Sequence, residues 1–341
     1  MGTLPRGWSQ PGHDRAGPTR DCSRTWGRVQ GGQVGSRRVC HEVRLRDRGP
    51  LLSFPAGGIH LDPAADLDGF ERVVLDVDGT VLLGNRALPG AREFVEAFRS
   101  NGSTVCFATN ASFATGETVA RRLRAAGVPA EDHLVLTAIE VLAEYLRPQP
   151  GRTGPGSRAI AVLGSDPAFE ILERSGLVVT RTRDREPEEP VTDLVVAGMS
   201  HDVSDIEVEK AAAALAREVK VTVPNLDVGM VSSSGVLPGS ATILARLARL
   251  APGVLDVTDV GKPSTVFADA VDRVAPCRGR TLVVGDSLTS DIPLGADRSW
   301  ESMLVLTGTT DLIGLAGIEG EPPDMVSPDL PTAMRRGWRR G

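Results

Sequence analysis

The chain of 341 residues has no run of 18 or more apolar residues, few aromatics (4%, with one Tyr) and four cysteines. The first absence excludes a membrane-spanning helix from expectation. No apolar stretch follows the start, so no secretory signal is expected. Cys22, Cys40, Cys106 and Cys277 lie far apart and none forms C-x-x-C. Neither a zinc site nor a disulfide framework follows from that spacing, and a reduced, cytoplasmic protein is expected. Lysine is missing from residues 1–62, which carry ten Arg against five acids. That net +5 leaves −11 for the rest of a chain whose total is −6. An acidic body does not track a phosphate backbone, so no nucleic-acid partner is expected. The Arg-rich segment lacks helical periodicity and is crowded with Gly, Pro and Ser, as in GRVQGGQVGSRR. Residues 1–66 are therefore expected to be a disordered extension.

What the chain does have is 41% hydrophobic residues, ample for a sizeable core. From about residue 68 short apolar runs alternate with amphipathic stretches: RVVLDV, PGAREFVEAFRSNG, TVCFATN, GETVARRLRAAGV. The runs show no polar alternation, as expected of parallel strands buried on both faces. Pro89 suits a first helical position, Gly102 and Gly127 suit C-terminal caps, and Phe94, Val95 and Phe98 fall on one helical face. Strand and helix in alternation imply right-handed βαβ units and a doubly wound α/β sheet. TLVVGD, SMLVLTG and a short edge strand in DMVSPDL continue the pattern near the end.

Residues 135–238 read as a second α/β unit inserted into the first. Strands are expected at RAIAVLG, DLVVAGM and VKVTV, and Ser204-x-x-Glu207 marks a capping box. The first domain then comprises 67–134 plus 239–332, and 333–341 is a basic solvated tail.

Four short pieces carry the chemistry: DVDGT at 76–80, ATN at 108–110, GKPS at 261–264 and GDSLTSD at 285–291. Each follows an apolar run or opens a helix, and ligands bind at the carboxyl ends of such strands. Singly, each piece also reads as a capped loop or a plain turn. Together they point to phosphoryl transfer through a covalent aspartyl phosphate. Asp76 is the candidate nucleophile. Asp78, on the same side of an extended segment, is the candidate acid and base. Gly79 lets the backbone turn and offers N–H groups to phosphate. Thr109 offers a hydroxyl, and Lys262 supplies positive charge to nucleophile and phosphate. Carboxylates crowded at one edge call for a cation, and an all-oxygen set of Asp76, Asp286 and a backbone carbonyl suits Mg²⁺. Asp291 orients Lys262 or a metal-bound water.

These pieces resemble the signature of the haloacid dehalogenase-like (HAD) superfamily. DVDGTVLLGNRALPGA, FATNASFATGETVARRLRAAGV and VLPGSATILARL…VGKPS look like its class IIA, NagD-like, para-nitrophenylphosphatase branch. The resemblance spans roughly residues 68–330. It implies a Rossmann-like core with an inserted α/β cap, a Mg²⁺-dependent phosphatase, and a small phosphorylated metabolite as substrate. Sugar, polyol, glycerol, nucleotide and cofactor phosphates are all in range. It assigns phosphate binding to Thr109, Asn110 and Lys262. Metal binding goes to Asp76, the Asp78 carbonyl and Asp286, with Asp291 supporting. Caps in this branch often help form dimers.

Three positions depart from the branch. Ser290 stands where the fourth motif usually has Thr. VPNLD replaces A-T-N-x-D, leaving Asn225 and Asp227 as either substrate-facing or turn residues. VGMVSSSGV replaces an acidic stretch. GMSHDVSD resembles the cap segment facing the site, so His201 or Asp202 contacts the leaving group or else lies in a solvated loop. The same motifs would also serve a phosphomutase or another phosphotransferase. A non-catalytic phosphate-ligand binding protein is the reading from outside enzymology.

Overall fold

The computed structural model describes residues 43–45, 67–147, 159–186, 189–215, 219–227, 229–232, 235–251, 253, 255–310 and 322–337. The described residues form one compact body holding two sheets, and residues 1–41 lie outside them. In chain order the strands of the first sheet are β2 (Phe70–Leu75), β5 (Thr104–Thr109), β6 (Val135–Thr137), β14 (Arg280–Gly285), β15 (Glu301–Val305) and β16 (Met325–Ser327). The second sheet holds β1 (Val43–Leu45), β7 (Ile160–Gly164), β8 (Val179–Arg181), β9 (Asp193–Ala197), β10 (Lys220–Val223) and β13 (Leu255–Asp259). Two small hairpins, β3 (Leu82–Leu83) with β4 (Arg86–Ala87) and β11 (Gly229–Ser232) with β12 (Gly235–Pro238), complete the strands. The helices are α1 (Ala91–Ser100), α2 (Gly116–Ala125), α3 (Ala138–Leu146), α4 (Asp166–Arg174), α5 (Asp205–Ala214), α6 (Ser240–Leu250), α7 (Thr265–Val274) and α8 (Leu330–Gly337).

The first sheet runs β16-β15-β14-β2-β5-β6, and every pairing in it is parallel. Its inner strands are apolar on both faces: Val73, Val74 and Leu75 in β2 and Leu282, Val283 and Val284 in β14 are all buried. The chain builds outward from β2 to β5 and β6, then returns to place β14 on β2's other side. That reversal opens a crevice beyond the carboxyl ends of β2 and β14. Phe94, Val95 and Phe98 seal α1 onto this sheet, and Cys106 is a fully buried core residue whose thiol burial pushes up to about 12. The second sheet, β1-β13-β10-β9-β7-β8, is also wholly parallel. No helix among the described residues is long and apolar enough to cross a membrane.

Several local expectations are met. The Ser204 capping box is complete, Ser204 N–H donating to Glu207 Oε2 at 2.9 Å while Ser204 Oγ accepts from Glu207 N–H at 3.3 Å. Gly102 and Gly127 have φ of +87° and +86°, the left-handed form that closes a helix. Pro89 is displaced: Gly90 is the cap of α1, so Pro89 precedes it rather than opening the helix.

The boundaries differ from those expected. Val135–Thr137 pairs with β5 and stays in the first sheet, although 135 was to begin the insertion. Leu255–Asp259 was to lie in the first domain, yet it pairs with β10 in the second sheet. Sheet membership therefore changes after α3 and again after β13. A buried parallel strand reads as the same apolar run whichever sheet holds it, so neither crossing is written locally. The expected extension also contributes: Val43–Leu45 pairs in parallel with Leu255–Val257, covering an otherwise open strand edge. The expected tail begins too early, because 333–337 belong to α8, whose Leu330 and Ala333 are buried in the core. Residues 148–158 and 338–341 lie outside the described residues.

Candidate active site

The crevice holds a cavity of about 630 Å³ lined by all four sequence pieces. Asp76 prolongs β2 by one residue, its N–H donating to the Val284 carbonyl at 2.9 Å. That ladder bond fixes where the carboxylate stands. Lys262 Nζ donates to Asp76 Oδ1 at 2.6 Å, Asp291 Oδ1 at 2.7 Å and the Ala108 carbonyl at 2.8 Å. An ammonium has three protons, so these three acceptors use them all. Burial alone would depress the Lys262 ammonium, but the charges of Asp291 and Asp76 hold it well above the ordinary lysine range. Its charge is aimed at Asp76, and no donor remains for a direct phosphate contact.

Asp291 joins Lys262 to the turn after β14. Its Oδ1 accepts from Lys262, and its Oδ2 accepts from the N–H groups of Asp286 (3.1 Å) and Ser287 (3.0 Å). Gly285 permits this, since a Cβ there would collide with the Asp291 carboxylate. Asp286 directly follows β14, its Oδ2 accepting from the Thr309 N–H. Burial and the neighbouring Asp291 charge push Asp286 up to about 6. Asp76 is likewise raised well above the usual carboxylate range, by burial first and by Asp291 and Asp286, with Lys262 opposing.

These observations test the site for a cation. Asp76 Oδ2 is buried with no hydrogen-bond partner. Asp76, Asp286 and Asp291 bring oxygens within 4.8 Å of one another. Both Asp291 oxygens are engaged, which leaves Asp76 and Asp286 as the carboxylates to hold an ion. An all-oxygen set with an orphaned anionic atom fits a hard divalent cation such as Mg²⁺.

Gly79 has φ +91°, and a Cβ there would stand 2.5 Å from Asp286 Oδ2 and 3.1 Å from Gly308 Cα. Its N–H, expected to face phosphate, donates instead to the Leu82 carbonyl at 2.8 Å in the β3–β4 hairpin. Thr109 lines the cavity; its Oγ1 accepts from Ala111 N–H at 3.2 Å, which leaves the O–H to donate.

Asn110 differs from expectation. Its Oδ1 accepts from Lys262 N–H at 2.8 Å, and its Nδ2 donates to Asp227 Oδ2 at 2.9 Å and the Lys262 carbonyl at 3.3 Å. The amide grips the lysine's backbone rather than standing open to phosphate. Asn225 is buried at the cavity wall and donates to the Asn110 carbonyl at 2.6 Å. Asp227 lines the cavity. His201 and Asp202 do not: both are exposed and lie 3.3 Å apart in a short turn. Arg246 of α6 holds that turn through the carbonyls of Ser200 and Val203, and Met199 is the residue of the segment that reaches the cavity.

Two contributors escaped sequence reading. Arg122, in the last turn of α2, forms an ion pair with Asp78. The two are 44 positions apart, so no local pattern links them. The loop after β15 supplies Thr309 to Asp286 and Thr307, whose Oγ1 donates to the Gly79 carbonyl at 2.6 Å. The polar residues following the apolar run SMLVL were the available sign. Leu83, Phe113, Met199 and Leu226 form the apolar part of the cavity wall.

Two family models match the chain: haloacid dehalogenase-like hydrolase over residues 73–178, and a second HAD-hydrolase-like model over 259–333. Ribonucleotide monophosphatase NagD of Escherichia coli is 28% identical over 71% of this chain and 90% of its own. An acid sugar phosphatase of Staphylococcus saprophyticus is 27% identical over 72% and 89% respectively. The crystal structure of a Thermotoga maritima 4-nitrophenylphosphatase superposes with a TM-score of 0.67 at 27% identity, covering 79% of this chain and 98% of that one.

Proposed function

Because the chain belongs to the haloacid dehalogenase-like hydrolases, in their NagD-like class IIA branch, and is a phosphoric monoester hydrolase, we propose that it hydrolyses a small phosphorylated metabolite through an aspartyl phosphate on Asp76. The observation that carries this reading is the asymmetry of the Asp76 carboxylate. One oxygen is pinned by Lys262, while the other is buried without a partner beside Asp286.

A Mg²⁺ ion held by Asp76 and Asp286 would neutralise the crowded carboxylates and the charge of the phosphate dianion. The protein's own groups do the rest. Asp76 attacks phosphorus, and the bond to the leaving oxygen breaks with its electron pair on that oxygen. Asp78 gives the oxygen a proton. Water then attacks the same phosphorus, the Asp76–phosphorus bond breaks with its pair returned to Asp76, and Asp78 takes the water's proton. Lys262 holds Asp76 in place throughout and offsets its charge, and the Thr109 hydroxyl donates to a phosphate oxygen. Residues 159–260, carrying the second sheet, serve as the cap.

Similarity to a ribonucleotide monophosphatase, an acid sugar phosphatase and a 4-nitrophenylphosphatase supports a small ester and leaves its alcohol open. A cavity of about 630 Å³ with Leu83, Phe113, Met199 and Leu226 on its wall accommodates a leaving group larger than phosphate. The test is hydrolysis of 4-nitrophenyl phosphate, then of a panel of sugar, polyol, nucleoside and cofactor phosphates, with Mg²⁺ and after EDTA. Activity should require the cation and vanish in Asp76→Asn. Turnover by Asp76→Asn would remove the nucleophile assignment.

A further inference from the structure

We propose that Asn225 and Asp227 are positioning residues: they act through Asn110 to set Lys262, and thereby Asp76, rather than selecting the substrate. The proposal rests on the reading of Lys262 as the counter-charge of the nucleophile.

β10 and β13 are parallel neighbours, and Val260 N–H still donates to the Val223 carbonyl at 3.1 Å beyond their paired residues. The two strands therefore deliver their following loops, 224–227 and 260–262, to one place. Gly261 allows the loops to touch, since a Cβ there would meet the Pro224 carbonyl, Asn110 Oδ1 and Asn225 Cα. Into this junction β5 sends Asn110. Asn225 Nδ2 holds the Asn110 backbone carbonyl at 2.6 Å, and Asn225 Oδ1 accepts from Asp227 N–H at 3.1 Å. Asp227 Oδ2 accepts from Asn110 Nδ2 at 2.9 Å. The amide so oriented takes both backbone groups of Lys262, N–H at 2.8 Å and carbonyl at 3.3 Å.

Lys262 is thus held twice by the same strand end. Ala108 receives its ammonium, and Asn110 grips its backbone. The residue spans from loop to nucleophile with all three ammonium protons committed, so a loop displaced by an ångström breaks bonds rather than bending them. Misplacement of that size costs on the order of 10²-fold in rate when a catalytic group depends on it. Asn225 is 5% exposed at the cavity wall, and its amide spends one donor on Asn110 and one acceptor site on Asp227. Asp227 does face the cavity, which makes the distinction between positioning and selection an experimental one.

The experiment measures kcat and KM of Asn225→Ala, Asp227→Ala and Asp227→Asn on 4-nitrophenyl phosphate and on adenosine monophosphate with Mg²⁺, with thermal midpoints recorded. The two alanine variants should lose tenfold or more in kcat with KM within twofold, by the same factor on both esters. Asp227→Asn should recover most of the rate lost in Asp227→Ala, because its side-chain carbonyl still accepts from Asn110. If Asn225→Ala does not fold, the Asp227 pair decides alone. Unchanged kcat in folded alanine variants overturns the proposal, as does a KM that rises by different factors on the two esters. Equal loss in Asp227→Asn and Asp227→Ala overturns the route through Asn110. Lys262→Met separates the two readings. If it stays active, the role of Lys262 fails. If it is inactive while the alanine variants keep kcat, only the positioning claim fails.

Discussion

Lys262 Nζ lies 2.6 Å from Asp76 Oδ1, and the two side chains, 2% and 10% exposed, are nearly sealed from solvent. Asp291 sits on the lysine's other side at 2.7 Å. One buried cation therefore stands between two buried anions, with Asp286 adjacent. Such a cluster carries an excess of negative charge that the protein alone does not cancel.

Removing the lysine should be costly in two ways. Lys262→Met leaves Asp76 and Asp291 buried with no cation between them, a loss of about 3–5 kcal/mol for a broken buried pair. Calorimetry or denaturant unfolding reads that cost, and phosphatase activity should fall by roughly 10² or more through the lost support of the nucleophile. Asp76→Asn should behave oppositely in stability. It abolishes turnover, yet it removes a carboxylate that burial already disfavours, so the metal-free variant should melt no lower than the parent.

The Asp286 carboxyl, raised by burial to about 6 from 3.8, gives the metal-free protein a defined pH dependence. Its folded state binds a proton more tightly than its unfolded state. The associated stability is fully present below about pH 4 and is lost as pH rises through about 6. About two pH units correspond to roughly 3 kcal/mol. In EDTA the melting temperature should be higher at pH 5 than at pH 7.5. Asp286→Asn should reduce that difference, leaving the part contributed by Asp76, which is raised in the same direction, and Mg²⁺ at pH 7.5 should restore the parent but not the variant. A pH difference of equal size in Asp286→Asn would assign it elsewhere.

Arg122 pairs with Asp78 and keeps a buried Nε without a partner. If this pair orients the acid, its loss matters most where the leaving oxygen needs a proton. Arg122→Gln should lose roughly tenfold or more on an alkyl phosphate such as glycerol phosphate. The loss on 4-nitrophenyl phosphate should be only about twofold, because nitrophenolate departs without protonation. Equal losses on both esters would exclude an orienting role for Arg122.

Gly79→Ala tests the narrowest point of the site. The residue has φ +91°, and its new Cβ would lie 2.5 Å from Asp286 Oδ2. Backbone strain of about 1–3 kcal/mol is expected, and the displaced Asp286 should bind metal less tightly. The Mg²⁺ concentration for half-maximal activity should rise about tenfold. An unchanged metal requirement would mean that Asp286 tolerates the shift.

Much of this protein is legible without coordinates. The apolar runs ending in Asp76, Thr109 and Asp286 identify strands of a parallel sheet, because residues buried on both faces must be apolar throughout. The carboxylates at their ends mark the catalytic edge for the same reason: a charge is tolerated only where the strand leaves the core. Ser204, Gly102 and Gly127 are read correctly because caps answer to local backbone chemistry. Where the contact partner lies far along the chain, local pattern carries no information. Neither Val135–Thr137 nor Leu255–Asp259 carries a local mark of its sheet, and only pairing with β5 or β10 assigns each. Arg122 is one basic residue among several on α2 until the fold brings it to Asp78. Asn110 and Asn225 are both polar and both near motifs, and only the fold shows the Asn225 amide bonded to the Asn110 carbonyl and the Asn110 amide to Lys262. The sequence by itself determined which side chains stand at the ends of the buried strands, since strand ends and side-chain types are local properties. Tertiary structure decided which polar groups are left to do it, because a hydrogen bond once satisfied inside the fold is withdrawn from the substrate.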